Sequence, residues 1–154
     1  MKTHDRQIIA ATPEETEALG ERIGRALRGG ELIELTSDLG GGKTTLVRGL
    51  ARGAGSQDHV ASPTFTLSKM YRTDRFEIHH FDFYRLAEAG IMRDELQELV
   101  GDPQTVVVVE WSDIVHDVLP AERLKVILAQ TAEGQRRIRL EYPDSLAYLK
   151  EETD

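Results

Sequence analysis

The sequence predicts an α/β fold of three layers, with a mixed, mostly parallel central sheet plus antiparallel hairpins. Three observations predict it. Helical and strand patterns alternate through the first half of the chain. Residues 105–109 read Thr-Val-Val-Val-Val, the mark of a strand buried on both faces. Two pairs of strand-like runs, 64–72 with 75–85 and 124–129 with 137–142, are each joined by a short turn. A length of 154 residues suits one domain over residues 1–154, and no repeat, low-complexity run or long linker divides it.

The elements follow in order. Thr12-Pro13-Glu14-Glu15 reads as a helix start, with Thr12 as N-cap, Pro13 in the first turn and Glu15 closing a capping box. Leu19, Ile23 and Leu27 form an apolar stripe, and Gly29-Gly30 marks the stop. Residues 32–36 read as a short buried strand and residues 43–54 as a second helix, with Leu46 and Leu50 facing inward. A polar connector spans 53–63, and one or two short helices broken at Gly90 are expected over 87–100. A terminal helix is predicted over 145–152.

Composition narrows the function. The net charge of −8 argues against nonspecific attraction to DNA, RNA or anionic membrane. A local basic patch at Arg136, Arg137 and Arg139 competes with its reading as a solvated strand face. The absence of cysteine excludes disulfides, thiolate nucleophiles and Cys-type metal sites. No segment has the apolar length of a signal peptide or a membrane span, so a cytoplasmic location is expected.

Residues Ser37-Asp38-Leu39-Gly40-Gly41-Gly42-Lys43-Thr44 match G-x-x-x-x-G-K-[ST] except at the first position, where serine stands for glycine. Polyphosphate carries dense negative charge, and small residues let backbone amides turn inward around it. Gly40, Gly41 and Gly42 supply that cup, and the following helix adds its positive end. Lys43 places an ammonium between the β- and γ-phosphates, the Thr44 hydroxyl suits Mg²⁺, and Thr45 reaches the α-phosphate. An apolar strand before the motif and a helix after it predict a P-loop NTPase three-layer fold that binds a nucleotide's polyphosphate with Mg²⁺.

A phosphate loop needs acids nearby. Glu110 ends the valine strand, and Asp82 ends the run RFEIHHFDFYR. Glu110 is assigned to the metal shell, directly or through water; Asp82 is assigned to the metal shell or to orienting the attacking water. Thr64, in Ser62-Pro63-Thr64, is suited either to closing over Mg²⁺ and the γ-phosphate or to a plain proline-set turn. Adjacent His79 and His80 point to opposite faces of a strand and cannot easily share an ion, so packing or surface roles are expected. Trp111, the single tryptophan, packs beside the nucleotide or in the core.

The blocks SDLGGGKTTLVRGL, SPTFTL, HHFDFYRL and VVVVEWSD, in this order, closely resemble the bacterial TsaE family, ATPases of tRNA N6-threonylcarbamoyladenosine (t6A) biosynthesis. The resemblance implies a cytoplasmic P-loop ATPase with weak hydrolysis alone. It further implies that the ATPase cycle supports turnover of TsaB- and TsaD-like partners, which modify tRNA, so that tRNA is met through the complex. Carried onto this chain, the phosphate loop is Asp38 through Thr45, the switch-like segment Ser62-Pro63-Thr64, and the acids Asp82 and Glu110, with Trp111 on a further motif position. Ser37 departs from the family's glycine, and Gly41 from a common alanine-type residue. A GTPase is disfavoured because the guanine-reading Asn-Lys-x-Asp motif has no counterpart in a chain without asparagine. A small-molecule kinase would need an arginine-bearing lid; Arg85 and Arg93 are present, but no lid-sized insertion is. A nucleotide-gated binding module remains the third reading.

Overall fold

A computed structural model of the chain describes residues 2–37, 42–61, 68–83 and 90–151. Seven strands form one sheet in the order β1-β7-β6-β2-β5-β4-β3. They are β1 (Thr3–Ala10), β2 (Leu32–Ser37), β3 (Ser68–Arg72), β4 (Glu77–Asp82), β5 (Thr105–Glu110), β6 (Leu124–Gln130) and β7 (Arg136–Pro143). The four central strands β6, β2, β5 and β4 run parallel, while β3 and the β7–β1 pair are antiparallel to their neighbours. The helices are α1 (Pro13–Ala26), α2 (Lys43–Gly53), α3 (Ile91–Leu99) and α4 (Tyr148–Glu151).

The valine strand shows why three layers form. Val106 and Val108 pack with Leu19, Ile23, Leu46 and Leu50 of α1 and α2, whereas Val107 and Val109 pack with Phe81, Leu96 and Val115 on the other face. All of β5 is buried, because an apolar run with a two-residue period has no polar face to offer water.

α1 begins as its residues dictate, with the Thr12 side chain accepting from the Glu15 amide. The Glu15 carboxylate takes the amide of Ala11 rather than that of Thr12, so the expected box closes one residue early. The helix ends at Ala26, before Gly29 and Gly30, which turn the chain at positive φ. Where one terminal helix was expected, a 3-10 turn (Asp144–Leu146) precedes a single turn of α4. β1 was not foreseen; it is an edge strand whose side chains alternate between exposed and half-buried.

Two glycine pairs let α1 and α2 touch backbone to backbone. A Cβ added at Gly20 would lie 2.2 Å from the Leu46 carbonyl oxygen, and one at Gly49 2.0 Å from that of Glu17. Gly24 and Gly53 repeat the relation one turn on, against Leu50 and Glu21. Gly49→Ala gains helix propensity of about 1 kcal/mol but must force the helices apart. The expected net result is a loss of about 2 kcal/mol and a melting point lower by about 5 °C, read by thermal denaturation.

Candidate functional site

The site lies where β2, β4 and β5 end and α2 begins, the edge at which parallel sheets receive ligands. α2 differs from α1 at its start: Gly42 caps it in a left-handed conformation, no side chain among the described residues caps it, and its first turn carries no acid. The first intrahelical bond runs from the Leu46 amide to the Gly42 carbonyl. The amides of the first turn therefore have no helical acceptor and stand ready for an anion.

Lys43 opens this helix and is nearly buried, with 8 % of its surface exposed. Its Nζ donates to the Ser37 carbonyl at 3.4 Å, lies 3.8 Å from Glu110 Oε1, and sits 4.9 Å from the centroid of the Trp111 ring. Three neighbours thus hold the ammonium at the mouth of the site.

Parallel register pairs Asp82 with Glu110 on adjacent strands, placing their backbones about 5 Å apart. Both carboxyls are buried, at 1 % and 3 % exposure. The two-residue period that puts Ile78, Val106 and Val108 against α2 also places His80, Asp82 and Glu110 on that face. Two carboxylates and the half-buried Thr44 hydroxyl of the first turn are hard oxygen donors, a set that fits Mg²⁺. Among the described residues no group of three or more His, Asp or Glu side chains gathers into a cation cage.

His79 and His80 do face apart, as expected. His79 approaches Glu77 at 3.4 Å. His80 has more than a packing role: it is fully buried, with Nε2 on Glu110 Oε2 and Nδ1 3.3 Å from the Tyr71 hydroxyl. That hydroxyl also lies 3.2 Å from the Ala61 carbonyl. Burial pushes the Tyr71 phenol up to about 12; the Ala61 contact opposes this, and the Glu110 charge adds to it.

Trp111 follows Glu110 at φ 56°, and is the one non-glycine residue with positive φ among those described. It is half-buried, packs against the core cluster of Phe81 and Val109, and turns its ring to Lys43. The strained turn is pinned from the opposite face of the sheet: Ser112 donates to Glu34, and Arg123 holds the other Glu34 oxygen at 3.0 Å. A cavity of about 120 Å³ opens between Thr36, Ser37, Lys43 and Trp111. Burial raises the Glu34 carboxyl, but the Ser112 and Arg123 bonds outweigh it, leaving it below the ordinary 4.5. A folded value below the unfolded one gives stability that is full above pH 4.5 and lost as pH falls through the folded value. Glu34→Gln is expected to melt earlier at neutral pH and to show a flatter loss of melting temperature on acidification.

A second cavity, of about 90 Å³, lies between the starts of α1 and α2, bounded by Thr12, Thr16, Gly42, Thr45 and Arg136. The Thr16 hydroxyl is buried without a hydrogen-bond partner among the described residues. Sequence reasoning missed Thr16, His80 and Glu34. Thr16 falls within the amphipathic helix pattern, and the other two gain meaning only from strand register. Of the arginine run, Arg136 borders this cavity, while Arg139 pairs with Asp5 and Glu141 on the outer strands. Arg93 is tied to Asp117 at the surface. Asp38, Leu39, Gly40, Gly41, Ser62, Pro63, Thr64 and Arg85 lie outside the described residues.

The family model "Threonylcarbamoyl adenosine biosynthesis protein TsaE" matches residues 10–138. The chain belongs to the TsaE family. A TsaE relative from Bacillus subtilis, named tRNA threonylcarbamoyladenosine biosynthesis protein TsaE, is 36 % identical over 130 residues, which is 82 % of this chain and 78 % of the relative. A TsaE of the same full name from Streptomyces coelicolor is 39 % identical over 129 residues, 78 % of this chain and 85 % of its own. The crystal structure of Bacillus subtilis YdiB aligns at a TM-score of 0.81 and 28 % identity, over 99 % of this chain and 96 % of that one. The TsaE-family chain thus has the P-loop NTPase three-layer fold that its motif implied. The family is named for threonylcarbamoyl adenosine biosynthesis, a pathway of several Tsa proteins. Among the described residues no helix is long and apolar enough to cross a membrane.

Proposed function

We propose that this TsaE-family protein binds ATP with Mg²⁺ and hydrolyses it to ADP and phosphate, cycling with TsaB- and TsaD-like partners that form t6A on tRNA. The observation that carries the reading is the convergence of Lys43, at the uncapped start of α2, with Asp82 and Glu110 at the ends of neighbouring parallel strands. An ammonium, free helix amides and two carboxylates are the parts that phosphoryl transfer from a nucleotide requires.

The triphosphate lies over the start of α2, its β- and γ-oxygens drawing Lys43 away from the Ser37 carbonyl and Glu110. Its nucleoside end extends toward the cavity beside Thr45 and Arg136. Water attacks the γ-phosphorus as the bond to the β,γ-bridging oxygen breaks. Lys43 takes up charge on the departing oxygens, and Glu110 or Asp82 orients the water and accepts its proton. Thr44, Glu110 and Asp82 would hold Mg²⁺, which would supply charge neutralisation at the phosphates.

The decisive experiment measures phosphate release from ATP by the protein alone and with its cognate TsaB–TsaD pair. Slow release that rises strongly with the pair is expected; no release in either condition would sink the reading. Thr44→Ala is expected to lower Mg²⁺-dependent hydrolysis about tenfold or more while leaving nucleotide binding largely intact. Normal turnover by that variant would remove Thr44 from the metal shell.

A further inference from the structure

Resting on the hydrolytic reading above, we infer that His80 is a positioning residue for that reaction. Flanked by the Tyr71 hydroxyl at one ring nitrogen, it donates from the other to Glu110 and fixes the direction in which that carboxylate faces.

Glu110 sits between two claims on its oxygens. Oε2 is bonded to His80 Nε2, and Oε1 faces the Lys43 ammonium at 3.8 Å. At 3.8 Å the lysine contact is looser than a hydrogen bond, so the imidazole is the group that orients the carboxyl. A carboxylate only accepts, so Nε2 carries the hydrogen of that bond. Tyr71 lies on the other side, its hydroxyl 3.3 Å from Nδ1 and its ring tilted 50° to the imidazole at 6.1 Å. The hydroxyl, anchored by donating its one hydrogen to the Ala61 carbonyl at 3.2 Å, confines the imidazole on that side. Tyr71 is 1 % exposed and His80 fully buried, so no water competes for either ring nitrogen.

The consequence concerns the moment when ATP arrives. Phosphate oxygens draw Lys43 off, and Oε1 is left facing the γ-phosphate because Oε2 stays tethered. Without the tether the carboxyl is free to swing onto Lys43 and close an ion pair in the buried site. Glu110 then no longer points at the attacking water. His80 touches neither nucleotide nor water in this scheme; it acts through Glu110, as the outer partners of active-site ligands do.

The test compares His80→Phe, His80→Gln and Tyr71→Phe by steady-state ATP hydrolysis, fluorescent-ATP titration and thermal melting. Phenylalanine keeps the ring and removes the donor; glutamine restores a donor near the Nε2 position. His80→Phe is expected to lower kcat about tenfold with nucleotide affinity changed less than about threefold, and His80→Gln to recover most of that loss. Tyr71→Phe, which removes one oxygen, is expected to lower kcat about threefold. A kcat unchanged in folded His80→Phe, or a glutamine variant no better than the phenylalanine one, overturns the inference. Should His80→Phe fail to fold, an unchanged kcat in Tyr71→Phe overturns it in the same way. If the unsubstituted protein does not hydrolyse ATP at all, the hydrolytic reading fails and this inference with it; turnover that survives in His80→Phe strikes His80 alone.

Discussion

Lys43→Ala is expected to abolish tight ATP binding. The ammonium is nearly buried at the start of α2, where the carbonyl of Ser37, the carboxylate of Glu110 and the face of Trp111 hold it in place before any ligand arrives. Two charge-assisted hydrogen bonds to phosphate are together worth about 3 kcal/mol, so affinity should fall about a hundredfold. Removing the cation also leaves Glu110 buried beside arriving negative charge, which adds to the loss. Titration with a fluorescent ATP analogue measures it. Arginine is expected not to substitute, because a planar fork does not place its charge as the compact ammonium does between the phosphates. Affinity that survived in the alanine variant would move the nucleotide away from α2.

Glu110→Gln is expected to separate binding from chemistry. The amide keeps the volume and one oxygen in this tightly packed strand end, but it has neither the charge nor the basicity to orient and deprotonate water. Hydrolysis should fall about a hundredfold, the range for losing a general base. Nucleotide affinity should stay within about threefold, since removing a negative charge beside the phosphates offsets the loss of a metal-shell oxygen. Single-turnover phosphate release and nucleotide titration read the two quantities independently. Equal losses in both would make Glu110 a structural residue of the β5 end. Asp82→Asn, run alongside, distinguishes the two acids: the one that holds Mg²⁺ directly should raise the Mg²⁺ concentration needed for half-maximal rate.

Much of this fold was legible because its signals are local. Thr12 caps α1 because a hydroxyl before a proline-led turn meets a free amide wherever that tripeptide occurs. β5 was readable because four valines in a row admit no exposed face. β1 was hidden for the opposite reason: an edge strand with one partner, and with His4 and Arg6 on its half-buried face and Ile9 on its exposed one, lacks the apolar alternation that announces a strand. The glycines of α1 and α2 lie four residues apart in each helix, a visible spacing whose purpose depends on which helix crosses which.

The chain's own letters determined the phosphate-binding motif, its lysine and threonine, and the two acids at strand ends, since each is a residue type set by the chemistry of a charged ligand. The tertiary structure alone decided which groups stand behind them. His80 and Glu110 are 30 residues apart and meet only because β4 and β5 lie parallel in one register, and Glu34 reaches Ser112 across 78 residues from the far face of the sheet. A strand's register follows from the burial of its whole face against neighbouring layers, a property of the assembled core that no short stretch of residues carries.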